Sequence, residues 1–342
     1  MKAAVFYGKN NLKIEEIAKP VPKAGEVLIK VHSCGICGTD VHIFGGDEGA
    51  AKTPPMTVLG HEFSGEIVAL GDGVTDLKTG DRVCVDPNKL CGNCEYCTGG
   101  EGHFCTSMTG IGTTVNGGFE EYCAVPQSQV YRFGNELSFA EAAMTEPVSC
   151  CLHGIDMCNI KSGDTVAVIG CGMIGLIMLQ LSLLNGAARV IAIEPVAEKR
   201  EQALRLGAYA ALDPTDGNLD GAIKAAGIRR IETVIECVGK TSTIEQAISI
   251  AGNNSTVMMF GLTAPADTVS VKPFEIFKKE IVLKSSFINP YTFGRALSLL
   301  SSGRLDVSSF VYKSDAPLEK LPEILANADE RRKGKIIISC SK

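Results

Sequence analysis

Residues 166–175, VAVIGCGMIG, leave this chain few folds to choose from. An apolar, β-branched run stops at Gly170, and Gly172 and Gly175 open a second apolar run of helical character. Glycines at this spacing let a strand turn sharply, let backbone approach a pyrophosphate, and let the following helix pack close with its N-terminus toward the phosphate charge. The pattern is weak alone. A second strand, RVIAI, ends at Glu194, where a carboxylate accepts hydrogen bonds from an adenosine ribose. The same acid repels a 2′-phosphate, so NAD is favoured over NADP, although Lys199 and Arg200 nearby weaken that preference. Ile174, Val238, Gly261 and Phe287 join Gly170, Gly172, Gly175, Glu194 and Lys199 as candidate cofactor-contacting residues.

Around this motif the chain alternates short strands (DTVAVIG, ARVIAIE, TVIECVG) with helical runs such as AEKREQALRLG. That alternation predicts a doubly wound parallel sheet. Before about Cys150 the texture differs. Runs such as EVLIKVHS and DRVCVDP, broken by Gly, Pro and Asp, predict a β-rich module with long loops and no helix of appreciable length. The expected organisation is a first domain over 1–150, a dinucleotide domain over 151–288, and a terminal segment over 289–342 that reads as helix, loop, helix and strand. Periodicity does not say which domain receives its last strand, GKIIIS.

With 342 residues and a net charge of -6, the chain is unlike a basic nucleic-acid binder. The N-terminal residues lack an apolar signal segment, which makes a cytoplasmic location the expectation. The most apolar window, 173–184, is too short for a bilayer and reads as a buried helix rather than a membrane span.

Fourteen cysteines in a reducing compartment point to metal rather than disulfides. In CGNCEYCTGGEGHFC, Cys91, Cys94, Cys97 and Cys105 can converge on one tetrahedral ion, and four sulfurs close its coordination sphere, as in a structural zinc. His103 reads as a neighbour of that site. A second set is Cys37, His61 and Glu62 of GHE, and Glu146 of TEP. One thiolate, one imidazole and carboxylate leave room for a substrate oxygen, the open geometry of a catalytic zinc. The stretch CGICGTDVH, residues 34–42, also admits a thiol redox pair of Cys34 and Cys37.

Taken together, CGICGTD, GHEFSGEIVALGDGV, GDRV, the four-cysteine loop and GCGMIG closely resemble the zinc-containing medium-chain dehydrogenase/reductase family of alcohol dehydrogenases. GHE followed by EPVSCCLHG is most similar to its sorbitol and polyol dehydrogenase branch. The resemblance implies an α/β protein with a GroES-like β-rich catalytic domain, a Rossmann domain, and a C-terminal segment that returns to the catalytic domain. It implies that Cys37 and His61 hold a catalytic zinc, and that Glu62 and Glu146 act there as ligand, water-holder or exchanging ligand. Thr39 then takes the alcohol proton, His42 passes it toward solvent, and Asp40 orients a zinc histidine. A homo-oligomer, tetramer or dimer, is also implied.

The reaction so implied is reversible oxidation of a secondary alcohol, a polyol or sugar alcohol, to a ketone with zinc and NAD. Sorbitol dehydrogenases typically place an Arg–Tyr pair after a phenylalanine near the nicotinamide, whereas this chain has Phe287, Ile288 and Asn289. GTDVHIF also resembles butanediol and threonine dehydrogenases, and a sugar-phosphate or cyclic polyol is a further alternative. Phe119, Phe44 and Ile43 are candidates for the pocket wall or for core. A dinucleotide sensor or a zinc-free reductase on the same scaffold would be expected to lack the zinc ligands, which are present here. No nucleic acid or membrane partner is expected.

Overall fold

The computed structural model describes residues 1–47 and 52–341, which form two compact units. One comprises Met1–Ser149 and Asn289–Lys342; the other is Cys150–Ile288. The α-helix Thr145–Cys158 carries the chain from the first into the second.

The first unit is built around the strand Glu26–Gly35, whose residues Val27, Ile29, Val31 and Cys34 are fully buried. Along one edge it pairs antiparallel with Glu62–Leu70. Along the other, Tyr122–Pro126 takes residues 26–30 and the C-terminal strand Lys335–Ser339 takes residues 33–35. The destination that periodicity left open for GKIIIS is thus this sheet, beside Glu26–Gly35. Arg82–Val85 and Val130–Arg132 extend the sheet beyond Glu62–Leu70, and Val311–Pro317 lies parallel to the C-terminal strand. A smaller sheet joins Asn11–Glu16, Lys2–Gly8 and Thr57–Val58. Phe63, Phe119, Ile29, Ile43, Leu59 and Ile67 fill the core.

Two elements depart from the sequence reading. The β-rich module contains a helix, Gly38–Gly45, only eight residues long. It has too few turns to show a hydrophobic period, yet it carries the central part of the site. The strand Val311–Pro317 lies where the sequence reads as loop; only Ala316 among its residues is buried, so no apolar alternation marks it.

The second unit holds a six-stranded sheet in the order Ala210–Leu212, Arg189–Ile193, Thr165–Ile169, Thr233–Glu236, Thr256–Met259, Val282–Ser285, every pairing parallel. Strand order reverses direction across the Thr165–Ile169 and Thr233–Glu236 pair, and loops at the carboxyl ends of such strands form the ligand crevice of open α/β sheets. The helix Met173–Leu184 is buried along most of its length. It occupies the apolar window noted in the sequence, and no described helix is long and apolar enough to cross a membrane.

Candidate active site

Cys37 stands at the N-cap of Gly38–Gly45 in extended conformation, and its backbone N–H donates to Asp40 Oδ2 at 2.8 Å. His61 and Glu62 come from the start of the neighbouring strand, where Glu62 pairs with Gly35. Gly60 makes the turn that presents them. Its φ of 96° suits glycine, and a Cβ there would stand 2.7 Å from Cys34 Sγ and 2.8 Å from the Phe119 ring. The ligand atoms of Cys37, His61 and Glu62 lie within 4.8 Å of one another.

The electrostatics of this set call for a cation. Asp40 is fully buried with Oδ1 3.5 Å from His61 Nδ1, and Asp40 Oδ1, His61 Nδ1 and Glu62 Oε1 have no hydrogen-bond partner among the described residues. Burial works against a charged His61, yet Asp40 and then Cys37 outweigh it and hold the imidazole well above its ordinary value. A divalent ion satisfies the same negative field, so the donor set fits zinc. Lys335 already supplies one positive charge. Its buried ammonium pairs with Glu62 Oε2 and donates to the Ile36 carbonyl at 2.8 Å. Burial opposes that charge as well, but Glu62 and then Cys37 keep Lys335 above the usual lysine value.

Other predicted residues fall in different places. Glu146 is buried near the start of Thr145–Cys158, and its carboxylate is outside the close Cys37, His61 and Glu62 set. Thr39 and His42 sit three residues apart on Gly38–Gly45, the spacing that shares a helix face. Cys34 is fully buried against Gly60, and burial raises its thiol well above the ordinary range, which makes it a poor redox partner for Cys37. Phe119, Phe44 and Ile43 all belong to the buried core.

Cys91, Cys94, Cys97 and Cys105 bring their sulfurs within 4.8 Å of one another. The loop is shaped by Gly92 and Gly100 at positive φ and by the short helix Glu95–Thr98 capped by Cys94. Backbone N–H groups, led by that of Cys97, pull the Cys94 thiol down to about 6, and the N–H of Cys91 lowers Cys105. Cys97 is instead pushed up to about 12 by burial and by its sulfur neighbours. Two favoured thiolates, at Cys94 and Cys105, beside a Cys97 sulfur that resists adding more negative charge form a donor set that fits a tetrahedral cation. The His103 ring lies tilted against Phe104, with ring centroids 4.0 Å apart, outside the four-sulfur set.

In the second unit Gly170 has φ 90°, and a Cβ there would press on Val238 Cγ2 at 2.6 Å. A Cβ on Gly175 would collide with the Gly170 carbonyl. Gly172 caps the helix Met173–Leu184 without a side chain. Glu194, buried at the end of Arg189–Ile193, accepts from the backbone N–H of Cys171 at 2.8 Å and of Val196 at 3.1 Å, binding the second strand to the glycine loop. Arg200, which the sequence sets close to Glu194, is engaged locally. One guanidinium nitrogen donates to the carbonyls of Glu194 and Pro195 and to Asp213 Oδ2, at 2.7, 2.7 and 2.8 Å. Gly261 packs against the Gly239 backbone, and Phe287 is 40% exposed.

Comparison with known proteins agrees with this arrangement. The alcohol dehydrogenase GroES-like domain profile matches residues 23–135, and the zinc-binding dehydrogenase profile matches residues 174–302. The chain is 35% identical over 329 residues to D-arabinitol dehydrogenase 1 of Uromyces fabae, covering 94% of this chain and 93% of that one. It belongs to the zinc-containing medium-chain alcohol dehydrogenases. Among solved structures, a chain named as a zinc-binding dehydrogenase from Sinorhizobium meliloti 1021, bound to NADP, superposes with TM-score 0.94 at 35% identity, covering 99% of this chain and 98% of that one. The rspB dehydrogenase of E. coli CFT073, complexed with NADH, superposes with TM-score 0.90 at 29% identity, with 99% of each chain covered. The protein is an oxidoreductase of the polyol-like branch of this family, and its fold is the GroES-like and Rossmann pair.

Two residues of this dehydrogenase escaped the sequence reading. Lys335 lies in an ordinary terminal strand, and only the sheet pairing brings it to Glu62. Glu236 is fully buried at the end of Thr233–Glu236, where its carboxylate accepts from the N–H groups of Val238 and Gly239 and from the Thr243 hydroxyl. It shapes the loop that presses Val238 onto Gly170. An acid closing an apolar strand was the available signal, as at Glu194.

Proposed function

We propose that this dehydrogenase reversibly oxidises a secondary hydroxyl of a polyol or sugar alcohol to a ketone, with a catalytic zinc and NAD. The observation that carries the reading is the Cys37, His61 and Glu62 set with its unpaired buried acceptor and imidazole atoms. When bound, zinc supplies Lewis acidity toward the hydroxyl oxygen, and the nicotinamide supplies the hydride acceptor. Asp40 orients the His61 ring, Lys335 tethers Glu62, and Glu146 is the second carboxylate assigned to the site. Thr39 takes the hydroxyl proton and His42 releases it to solvent. The four-cysteine loop holds a second, structural zinc. A polyol substrate is supported by the arabinitol dehydrogenase relative.

NAD is preferred because Glu194 places negative charge where a ribose hydroxyl would meet it, and Arg200 is engaged by Asp213. The enzyme is assigned to the cytoplasm, a reading supported by its fourteen free thiols. It is also assigned as a homo-oligomer, through the edge strand Val282–Ser285. Val282 and Leu283 are exposed there, beside exposed Phe274 and Phe277 of the helix Pro273–Lys279. A second copy of that strand can pair with it under a two-fold axis.

The test is a panel of polyols, diols and threonine, each offered NAD and NADP, followed by absorbance of the reduced cofactor. A polyol should react best, and NAD should outperform NADP by at least about tenfold. The Cys37→Ala variant should lose turnover while still binding NAD. Full activity in that variant sinks the zinc mechanism, and equal rates with both cofactors sink the role given to Glu194.

A further inference from the structure

The helix Gly38–Gly45 ends in a left-handed turn at Gly46, with φ 92° and ψ 11°. The Gly46 N–H donates to the Ile43 carbonyl at 3.0 Å, and the Asp47 N–H donates to the His42 carbonyl at 2.9 Å, the paired bonds of a Schellman stop. The turn is held from outside as well. Asn10 N–H donates to the Phe44 carbonyl at 2.7 Å, and the Lys9 stem lies 3.0 Å from where a Gly46 Cβ would stand. Asp47 is therefore fixed over the turn that carries His42, and its Oδ2 lies 3.4 Å from His42 Nδ1.

With the two side chains 42% and 64% exposed, the contact adds little to stability. Its bearing is on the tautomer of the imidazole. A neutral imidazole has one N–H donor and one acceptor nitrogen, and the bond made by one nitrogen sets the state of the other. A carboxylate at Nδ1 selects the Nδ1–H form and leaves the Nε2 lone pair open. Lys9 also lies against this turn through its stem, and further ionisable groups on the elements packed against this helix have partners of their own. Tyr7 donates to Glu15 at 2.8 Å, Glu323 pairs with Lys320 at 2.7 Å, and Asp40 faces Cys37 and His61.

We propose that Asp47 is a positioning residue that holds His42 as the Nδ1–H tautomer, so that Nε2 is the nitrogen that receives the proton leaving through Thr39. The inference rests on the dehydrogenase reading, in which His42 ends the proton relay. During oxidation Nε2 gains the proton, the Nδ1–H stays on Asp47, and Nε2 then returns the proton to water. In the reducing direction the same transfers run backwards.

The test uses the zinc-loaded enzyme with nitrogen-labelled histidine. Long-range proton–nitrogen NMR reports the tautomer, and the His42 signals are assigned by their loss in His42→Gln. Wild type should show Nδ1–H at His42, and Asp47→Ala should move the ring toward Nε2–H, the form an unconstrained imidazole prefers. The same variant should lose about tenfold in kcat with KM for the alcohol nearly unchanged, and Asp47→Glu should recover part of the loss. Combining Asp47→Ala with His42→Gln should cost no more than His42→Gln alone. A wild-type Nε2–H ring, or a tautomer indifferent to Asp47→Ala, overturns the inference. A tautomer shift with kcat unchanged supports the control by Asp47 and overturns the relay role of His42.

Discussion

Glu62 and Lys335 lie 273 residues apart, so no local pattern could pair them, yet they share the most consequential buried charge in the first unit. Removing one member of such a pair leaves the other uncompensated, a loss of about 3 to 5 kcal/mol. Lys335→Met should therefore lower the melting temperature of the zinc-free protein by about 10 °C, and adding Glu62→Gln should recover part of it. Thermal unfolding of the single and double variants checks both. A second buried acid, Glu120, has no such partner. Burial pushes its carboxyl up to about 8 from 4.5, and its Oε2 is unsatisfied. Because the folded form holds its proton more tightly than the unfolded chain, stability falls as pH rises from 4.5 through about 8. Glu120→Gln should remove much of that slope and raise the melting temperature at pH 8.5 by about 5 °C, with little effect at pH 4.5. Unfolding curves across that range would expose a wrong sign.

Elements differ in how much of their role is visible locally. The glycine turn after Thr165–Ile169 was legible because strand, glycines and helix are contiguous, and the collision a Gly175 Cβ would make explains why glycine is needed. The four-cysteine loop was legible for the same reason, since one short segment carries all four sulfurs. Its stability should depend on the ion. Cys94→Ser should lower zinc content by one equivalent per chain and reduce thermal stability, by elemental analysis and calorimetry. An unchanged zinc content would refute a metal at that loop. The helix Gly38–Gly45 was not legible, because eight residues give barely two turns and the helix is specified by the Asp40 cap, the Gly46 stop and packing on the core. The chemistry of CGICGTDVH was legible nonetheless, through its residue types and the resemblance they carry.

At the scale of the whole molecule, the edge of the parallel sheet bears on assembly. An exposed strand with apolar side chains favours pairing with another copy, and a charge there should oppose it. Leu283→Lys should shift the protein toward monomer in sedimentation or light scattering while leaving the dinucleotide site intact; an unchanged mass would exclude this edge as the interface. The sequence by itself determined the fold class and the family, and it marked the four-cysteine loop and Cys37, His61 and Glu62 as candidate metal ligands, because periodicity, glycine spacing and short-range residue patterns are local constraints. Only the tertiary structure decided that the C-terminal strand lies against Glu26–Gly35, that Lys335 meets Glu62, that Arg200 is engaged by Asp213, and that Glu146 is outside the close ligand set. Those relations depend on sheet register and on how buried charges find partners across long separations. Such pairings are selected by desolvation and packing, which act only as distant segments come together.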